Sequence, residues 1–399
     1  MNNISAAYPG LEGGPTSAMR MKTTGWIASL SILLLAAPLC WAGQAGRASA
    51  QRLDFVWKQS LPLRSGDPRI AAIGGTELRA LTAFDNKLFA AIGYWKDIEK
   101  ASPGLPGAQV LRLDRADGSW QIDLELDDTG PGGLRKYQAI STLQAVRFTI
   151  DQRKQRLAHP VELLLAGVWK RDVGLDAFSR VVGSGYYPWT RTPIPGQEAA
   201  ARGTQIRAFS LHKDQITGDE IVFAGASNAI FVGKYDAEQQ GIVWQPQPEW
   251  HAEGANIPSG ASRVASFADC NGKLYATAHG TIFERVDGSF PSWRKIFETP
   301  IYLPSPRVTG LRGLTCIRDM SASAGVLLVG VEDKPSRIYR IDTDAADPAG
   351  QYKSTMELDV SSFLTSALGI ETTYAIVAYN NMIEYPDAVS GLSLIHISE

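Results

Sequence analysis

The sequence predicts an all-β fold, a β-propeller of four-stranded blades, and three observations predict it. The first is the stretch 263–297, which reads as four short strands at 263–268, 273–278, 282–286 and 293–297. Asn271-Gly272 makes a strong hairpin turn between the first two, and Asp287-Gly288 marks the turn before the last. Four antiparallel strands in about 35–40 residues is the size of one blade. The second is recurrence. The third strand carries an apolar pair followed shortly by Asp, as Val110-Leu111 with Asp114, Ile230-Phe231 with Asp236, Ile282-Phe283 with Asp287 and Ile338-Tyr339 with Asp342. The later copies repeat at about 50–55 residues, and the interval from Val110 to Ile230 leaves room for one more, which 178–182 supplies. Trp120, Trp189, Trp244 and Trp293 are expected to open fourth strands. The third is the second strand of each copy, apolar on both faces and small at its end: LFAAIG at 88–93, LLLAGV at 163–168, VFAGA at 222–226, LLVGV at 327–331. A strand packed on both sides shows no polar face.

Taken in order, residues 1–18 are rich in Gly, Pro, Ser and Asn without periodicity. A leader is expected from Met19 or Met21, with Arg20 and Lys22 as the basic end and WIASLSILLLAA (26–37) as a short apolar core. Ala48-Ser49-Ala50 offers a cleavage site, so residues 1–50 are assigned to leader and signal peptide and the chain is expected to be exported, periplasmic or secreted. The apolar stretch is short for a membrane span, so no stable membrane insertion is expected after cleavage.

The propeller is expected over 51–391. A lone strand at 53–59 precedes blades at about 77–127, 136–195, 204–250, 262–299 and 311–358. The polar stretch 151–159 is expected to be a surface loop. Residues 360–368 read as a short helix ended by Gly369, and TYAIVAY (373–379) begins a sixth blade. Six or seven blades are expected in the intact protein, with about five complete here. The last eight residues, LSLIHISE (392–399), resemble the in-frame translation of a transposase mosaic-end adapter used in sequencing libraries. That resemblance implies a non-native tail after a C-terminally truncated propeller, and it removes His396 from consideration as a site residue.

A net charge of −2 gives no electrostatic reason to expect nucleic acid as a partner. Nucleophile elbows, paired C-x-x-C, phosphate-binding glycine loops and H-E-x-x-H are absent from the sequence. No cofactor and no metal site is expected. The stretch 342–347 has acidic spacing but lacks the central Gly and distal Glu of a calcium loop, so it reads as a solvated acidic turn. His159, His212, His251 and His279 fall in or beside predicted loops without metal spacing. Cys270 and Cys316 invite a bridge in an exported protein. Aligning their strands on Arg263 and Arg312, however, sets them about 10 Å apart, which argues against one.

The turn RVDGSFPSW (285–293), with DRADGSW (114–120) as a second copy, resembles the Asp-box repeat of sialidase-like propellers. Asp and Gly are adjacent here, whereas the family spaces them by one residue. The resemblance implies the fold and not the activity, because the family's boxes are structural. The chain as a whole resembles exported bacterial β-propellers of uncharacterised function.

Four copies open their first strand with arginine: Arg79, Arg207, Arg263 and Arg312. First strands are innermost, so these positions are expected to converge on the channel, where guanidiniums suit an anion. The competing role for each is pairing with an acid of the neighbouring blade. The expected function is binding of a small anionic ligand, a glycan or a protein at the channel mouth. Two alternatives stand beside it. One is a sialidase-like glycosidase or lyase, needing a carboxylate pair or a nucleophilic Tyr with its Glu, for which Tyr94, Tyr186 and Tyr187 are available. The other is a purely structural scaffold.

Overall fold

The computed structural model describes residues 77–94, 106–128, 135–171, 174–182, 189–195, 205–252, 263–299, 310–318, 324–332, 336–346, 352–369, 381–386 and 393–398, with Gly75 and Gly133. The fold is an all-β propeller. Blade one comprises β1 (Glu77–Phe84), β2 (Lys87–Gly93), β3 (Ala108–Leu113) and β4 (Gln121–Leu126). Blade two comprises β5 (Tyr137–Ile150), β6 (Arg156–Lys170), β7 (Leu175–Val181) and β8 (Thr190–Ile194). Blade three has β9 (Ala208–Lys213), β10 (Glu220–Gly225), β11 (Ala229–Asp236) and a broken outer strand, β12 (Gly241–Trp244) and β13 (Trp250–His251). Blade four is β14 (Val264–Cys270), β15 (Lys273–Ala278), β16 (Thr281–Val286) and β17 (Ser292–Glu298). Blade five is β18 (Gly310–Arg318), β19 (Gly325–Glu332), β20 (Arg337–Ala346) and β21 (Tyr352–Asp359). Within each blade, consecutive strands pair antiparallel. Helix α1 (Val360–Leu368) follows, its first turn capped by Asp359 accepting from the Ser362 N–H and its end closed by Gly369 at φ 65°. A hairpin of β22 (Asn381–Pro386) and β23 (Ser393–Ser398) completes the described chain.

The second strands explain the shape of the core. In β6, Leu163 and Leu165 pack toward blade three while Leu164, Ala166 and Val168 pack toward blade one. In β10, Val222 and Ala224 face blade two, and Ile221 and Phe223 face blade four. The apolar interior is thus a series of seams between consecutive blades, with blades four and five sharing another around Tyr275, Leu311 and Leu327. Each buried side chain of this size contributes about 1.5–3 kcal/mol. The small residues ending these strands have a steric cause. A Cβ on Gly225 would lie 2.7 Å from Val264 Cγ1, and one on Gly167 would lie 2.8 Å from Ile206 Cγ2. The glycines let the next blade's inner strand cross close by.

Several expectations are corrected. Residues 151–155 form a tight turn, and 156–159 belong to β6, so the polar stretch is the tip of a long hairpin with His159 in a strand. Trp244 ends β12 rather than opening it, because its ring packs over Gly233 and stacks near Phe209. Residues 342–346 continue β20, with Asp342 held by Arg340 at 2.7 Å. Cys270 and Cys316 are bridged, with Cα atoms 5.4 Å apart. The alignment on arginines misjudged the register. Ser266 is the residue beside Leu314, whose N–H reaches its Oγ at 3.1 Å, so the cysteines differ by two positions rather than three. Asn271 then grips Gly325 through both its backbone N–H and C=O, drawing the end of β14 across the seam. The leader, 53–59, Tyr186, Tyr187 and 373–379 lie outside the described residues.

Candidate functional site

The inner strands of blades one, two, four and five each carry a register irregularity. In blade one Leu78 pairs with Ile92 and Ala80 with Ala91, leaving Arg79 as an extra residue. Ser141 is extra between Ile140 and Thr142 in blade two, and Ala265 between Val264 and Ser266 in blade four. In blade three Arg207 donates its N–H to Gly225 O beside the Ala208–Gly225 pair. In blade five the shift falls between Arg312 and Thr315, where Gly313 adopts φ 62°. A bulge bends its strand and re-aims the extra side chain. Residues at or beside these positions border one cavity of about 120 Å³, lined by Arg79, Ser141, Arg207, Ala265 and Arg312, with Met382 of β22 on its wall.

Three of the four arginines singled out in the sequence therefore line the cavity. Arg263 does not; it stands two residues before the bulge of its strand, where its carbonyl accepts the His279 N–H. Arg79 donates to Glu77 at 3.2 Å. Burial pulls the Arg79 guanidinium below its ordinary pKa, Glu77 opposes the shift, and the nearby positive charge of Arg312 adds to it. Hydroxyls and amides fill the spaces between the arginines: Thr142, Gln144, Gln205 and Ser266 also line the cavity, with Gln205 donating to Ser141 Oγ at 2.8 Å. Among the described lining residues none is Asp or Glu.

Arginines elsewhere in the repeat also pair with acids close in sequence, as Arg79 does with Glu77. Arg112 and Arg340 in third strands each bond an Asp two residues on, at 2.7 Å. Arg285 binds Asp287 in the same way, together with Asp214 and Glu249. That is a packing role, served by acids built into the same strand or the next blade. Tyr94, a candidate nucleophile by sequence, is buried with its hydroxyl donating to Pro106 O at 3.1 Å, and burial raises its pKa. It is a structural residue.

Sequence reading missed the polar cluster between blades three and four. His212, read from the sequence as a loop or surface residue, is buried in β9 between Asp269 and Asp287. Its neighbour Arg285 lies near the end of β16, just before the turn that links the third strand to the fourth. The Arg-x-Asp spacing shared by 112–114, 285–287 and 340–342 was the available signal.

No protein-family model matches the chain, and no curated protein does. Similar solved structures are glycoside hydrolases of family 43. One is an α-L-arabinofuranosidase from Clostridium thermocellum ATCC 27405, 13% identical, covering 71% of this chain and 94% of that one at TM-score 0.33. Another is a β-xylosidase/α-arabinofuranosidase from a compost microbial metagenome, 11% identical, covering 71% and 94% at TM-score 0.34. A third is an arabinoxylan arabinofuranohydrolase from Bacillus subtilis, 9% identical, covering 83% and 77% at TM-score 0.33. Likeness at that level transfers no activity to this chain.

Proposed function

We propose that this chain is an exported propeller that binds a small anionic ligand in its central channel without chemical turnover. One observation carries the reading: a cavity bordered by Arg79, Arg207 and Arg312 whose described lining holds no carboxylate. Guanidiniums offer planar forks that fit carboxylate, sulfate or phosphate oxygens, and hydrogen bonds to such charges are roughly twice as strong as neutral ones. The third-strand arginines Arg112 and Arg340, by contrast, lie outside the cavity lining and bond acids two residues on. A glycosidase would need two carboxylates flanking the scissile bond, and the described cavity wall supplies neither.

Titration calorimetry of the full chain with sulfate, phosphate and glucuronate tests the reading. Arg207→Ala and Arg312→Ala should each weaken binding by about tenfold to a hundredfold, with urea midpoints close to wild type. If no anion binds, or if both substitutions act only by unfolding the chain, the ring is structural. Hydrolysis of chromogenic glycosides by the full chain would instead favour the glycosidase.

A further inference from the structure

Asn271-Gly272 is the one Asn-Gly step in the sequence, and it sits where blade four meets blade five. The two residues form the tip of the β14–β15 hairpin at φ 53° and 74°, both left-handed as a two-residue turn of this kind requires. The Asn271 carboxamide reaches out of the turn onto blade five. Its Nδ2 donates to Gly325 O at 2.8 Å and to Thr343 Oγ1 at 2.9 Å, while its Oδ1 accepts from the Gly325 N–H at 2.9 Å. The disulfide belongs to the same knot. A Cβ on Gly325 would meet Cys316 Sγ at 2.7 Å, Cys270 Sγ at 3.1 Å and Asn271 Oδ1 at 3.3 Å. We propose that Asn271 is a self-modification site, which deamidates to aspartate and isoaspartate when the seam opens and so prevents its full reclosure.

The chemistry needs only water. The Gly272 backbone nitrogen gives its proton to solvent base and attacks Asn271 Cγ. The bond from Cγ to the side-chain nitrogen breaks, and that nitrogen takes up a proton and leaves as ammonia, giving a five-membered succinimide. Water then adds to either ring carbonyl and opens the ring to aspartate or isoaspartate. Glycine leaves the attacking nitrogen unhindered because it carries no side chain, and Asn271 is exposed, so water reaches it. In the closed seam the carboxamide is committed to Gly325 and Thr343, and it has to leave both before Cγ can meet the nitrogen. The rate therefore follows opening of this seam, a local opening of the kind expected between repeat units. The product cannot restore the grip. A carboxylate accepts but does not donate, so it opposes Gly325 O where Nδ2 had donated. Isoaspartate also routes the main chain through Cβ, which lengthens a turn closed by the Cys270–Lys273 pair.

Peptide mass spectrometry of the full chain during incubation at mildly alkaline pH tests this, with oxidised and reduced wild-type chain side by side. The reduced chain should yield both aspartate and isoaspartate at this position, at least about tenfold faster than the oxidised chain. Thr343→Val keeps the disulfide and removes one bond to the carboxamide, so it should speed conversion in the oxidised chain by about threefold to tenfold. Asn271→Asp, which is one of the two products, should lower the urea midpoint of the oxidised chain. Equal rates in the oxidised and reduced chains, with no acceleration in Thr343→Val, would overturn control by the seam. Absence of conversion in the reduced chain would remove the modification site itself. A wild-type urea midpoint for Asn271→Asp would overturn its effect on reclosure. The comparison of oxidised with reduced wild-type chain needs no variant to fold.

Discussion

His212 shows what a single residue can hold together in this molecule. Its ring lies in the seam between blades three and four, with Nδ1 2.6 Å from Asp269 Oδ2 and Nε2 3.0 Å from Asp287 Oδ2. Two carboxylate partners require a hydrogen on each nitrogen, so the ring is the imidazolium. Burial alone would lower its pKa, and the two carboxylates outweigh burial and raise it. A raised folded-state pKa stabilises fully below the unfolded value of about 6.5, and that stability is lost as pH climbs through the folded value. Asp214 sets the other limit. Burial would raise its pKa, but bonds from Arg285 and from the N–H groups of Thr217, Gly288 and Ile216 hold it well below the ordinary carboxylate range. Its contribution is present above the unfolded carboxylate value and is lost as pH falls through the folded one. Urea unfolding across pH should therefore show a decline that begins near the unfolded histidine value of about 6.5, and His212→Gln should flatten that decline. An unchanged alkaline limb in the variant would assign it to other groups. Arg285→Met should cost about 3–5 kcal/mol, because it strands the buried Asp214 and the partly buried Glu249 without their counter-charge.

At the level of strands, the second strand of each blade was legible because both of its faces are buried, so no polar alternation interrupts the apolar run. The sequence boundaries for blade four, 273–278 and 282–286, meet β15 and β16 within a residue. The glycines at these strand ends carried a message that composition could not decode, since their partners sit in the next blade. Gly225→Ala should cost about 1–3 kcal/mol, as its Cβ would meet Val264 Cγ1 at 2.7 Å and Val264 O at 3.0 Å. Gly241→Ala in the outer strand is the control: its nearest neighbour would be 3.8 Å away, so its urea midpoint should match wild type. Equal losses at both sites would point to backbone entropy instead of the blade contact. The arginine ring was half legible. Arg79 is the extra residue of its strand, Arg207 stands just before the first residue of β9, Arg312 precedes its bulge by one and Arg263 lies two residues before its own. A bulge adds a residue to one strand without changing the apolar pattern of its partner, so repeat alignment cannot register it. His212 was illegible for another reason: its partners are 57 and 75 residues away in sequence.

For the whole molecule, stability is a chain of seams, and the seam between blades four and five is fastened three ways. The Cys270–Cys316 bridge closes a loop with a sequence separation of 46. Asn271 adds bonds to Gly325 and to Thr343. The Tyr352 hydroxyl donates to Glu284 at 2.7 Å and accepts from Lys273 at 2.9 Å, so blade five's outer strand is tied to blade four's third. The seam between blades three and four has the Arg285 and His212 clusters but no covalent tie among the described residues. Repeat architectures open at their weakest interface, since each unit contacts only its neighbours. Cys270→Ser with Cys316→Ser should therefore lower unfolding free energy by about 2–4 kcal/mol, and reductant should reproduce the loss in the wild-type chain. The location of the loss separates a local fastener from a general one. Hydrogen exchange monitored at pH 7 should quicken first in β14, β18 and β19, while β5 and β6, whose seams lie on the far side of blade three, keep their protection. If β5 and β6 quicken in step with β18, the propeller opens as one cooperative body, and the seams are not separable units of stability.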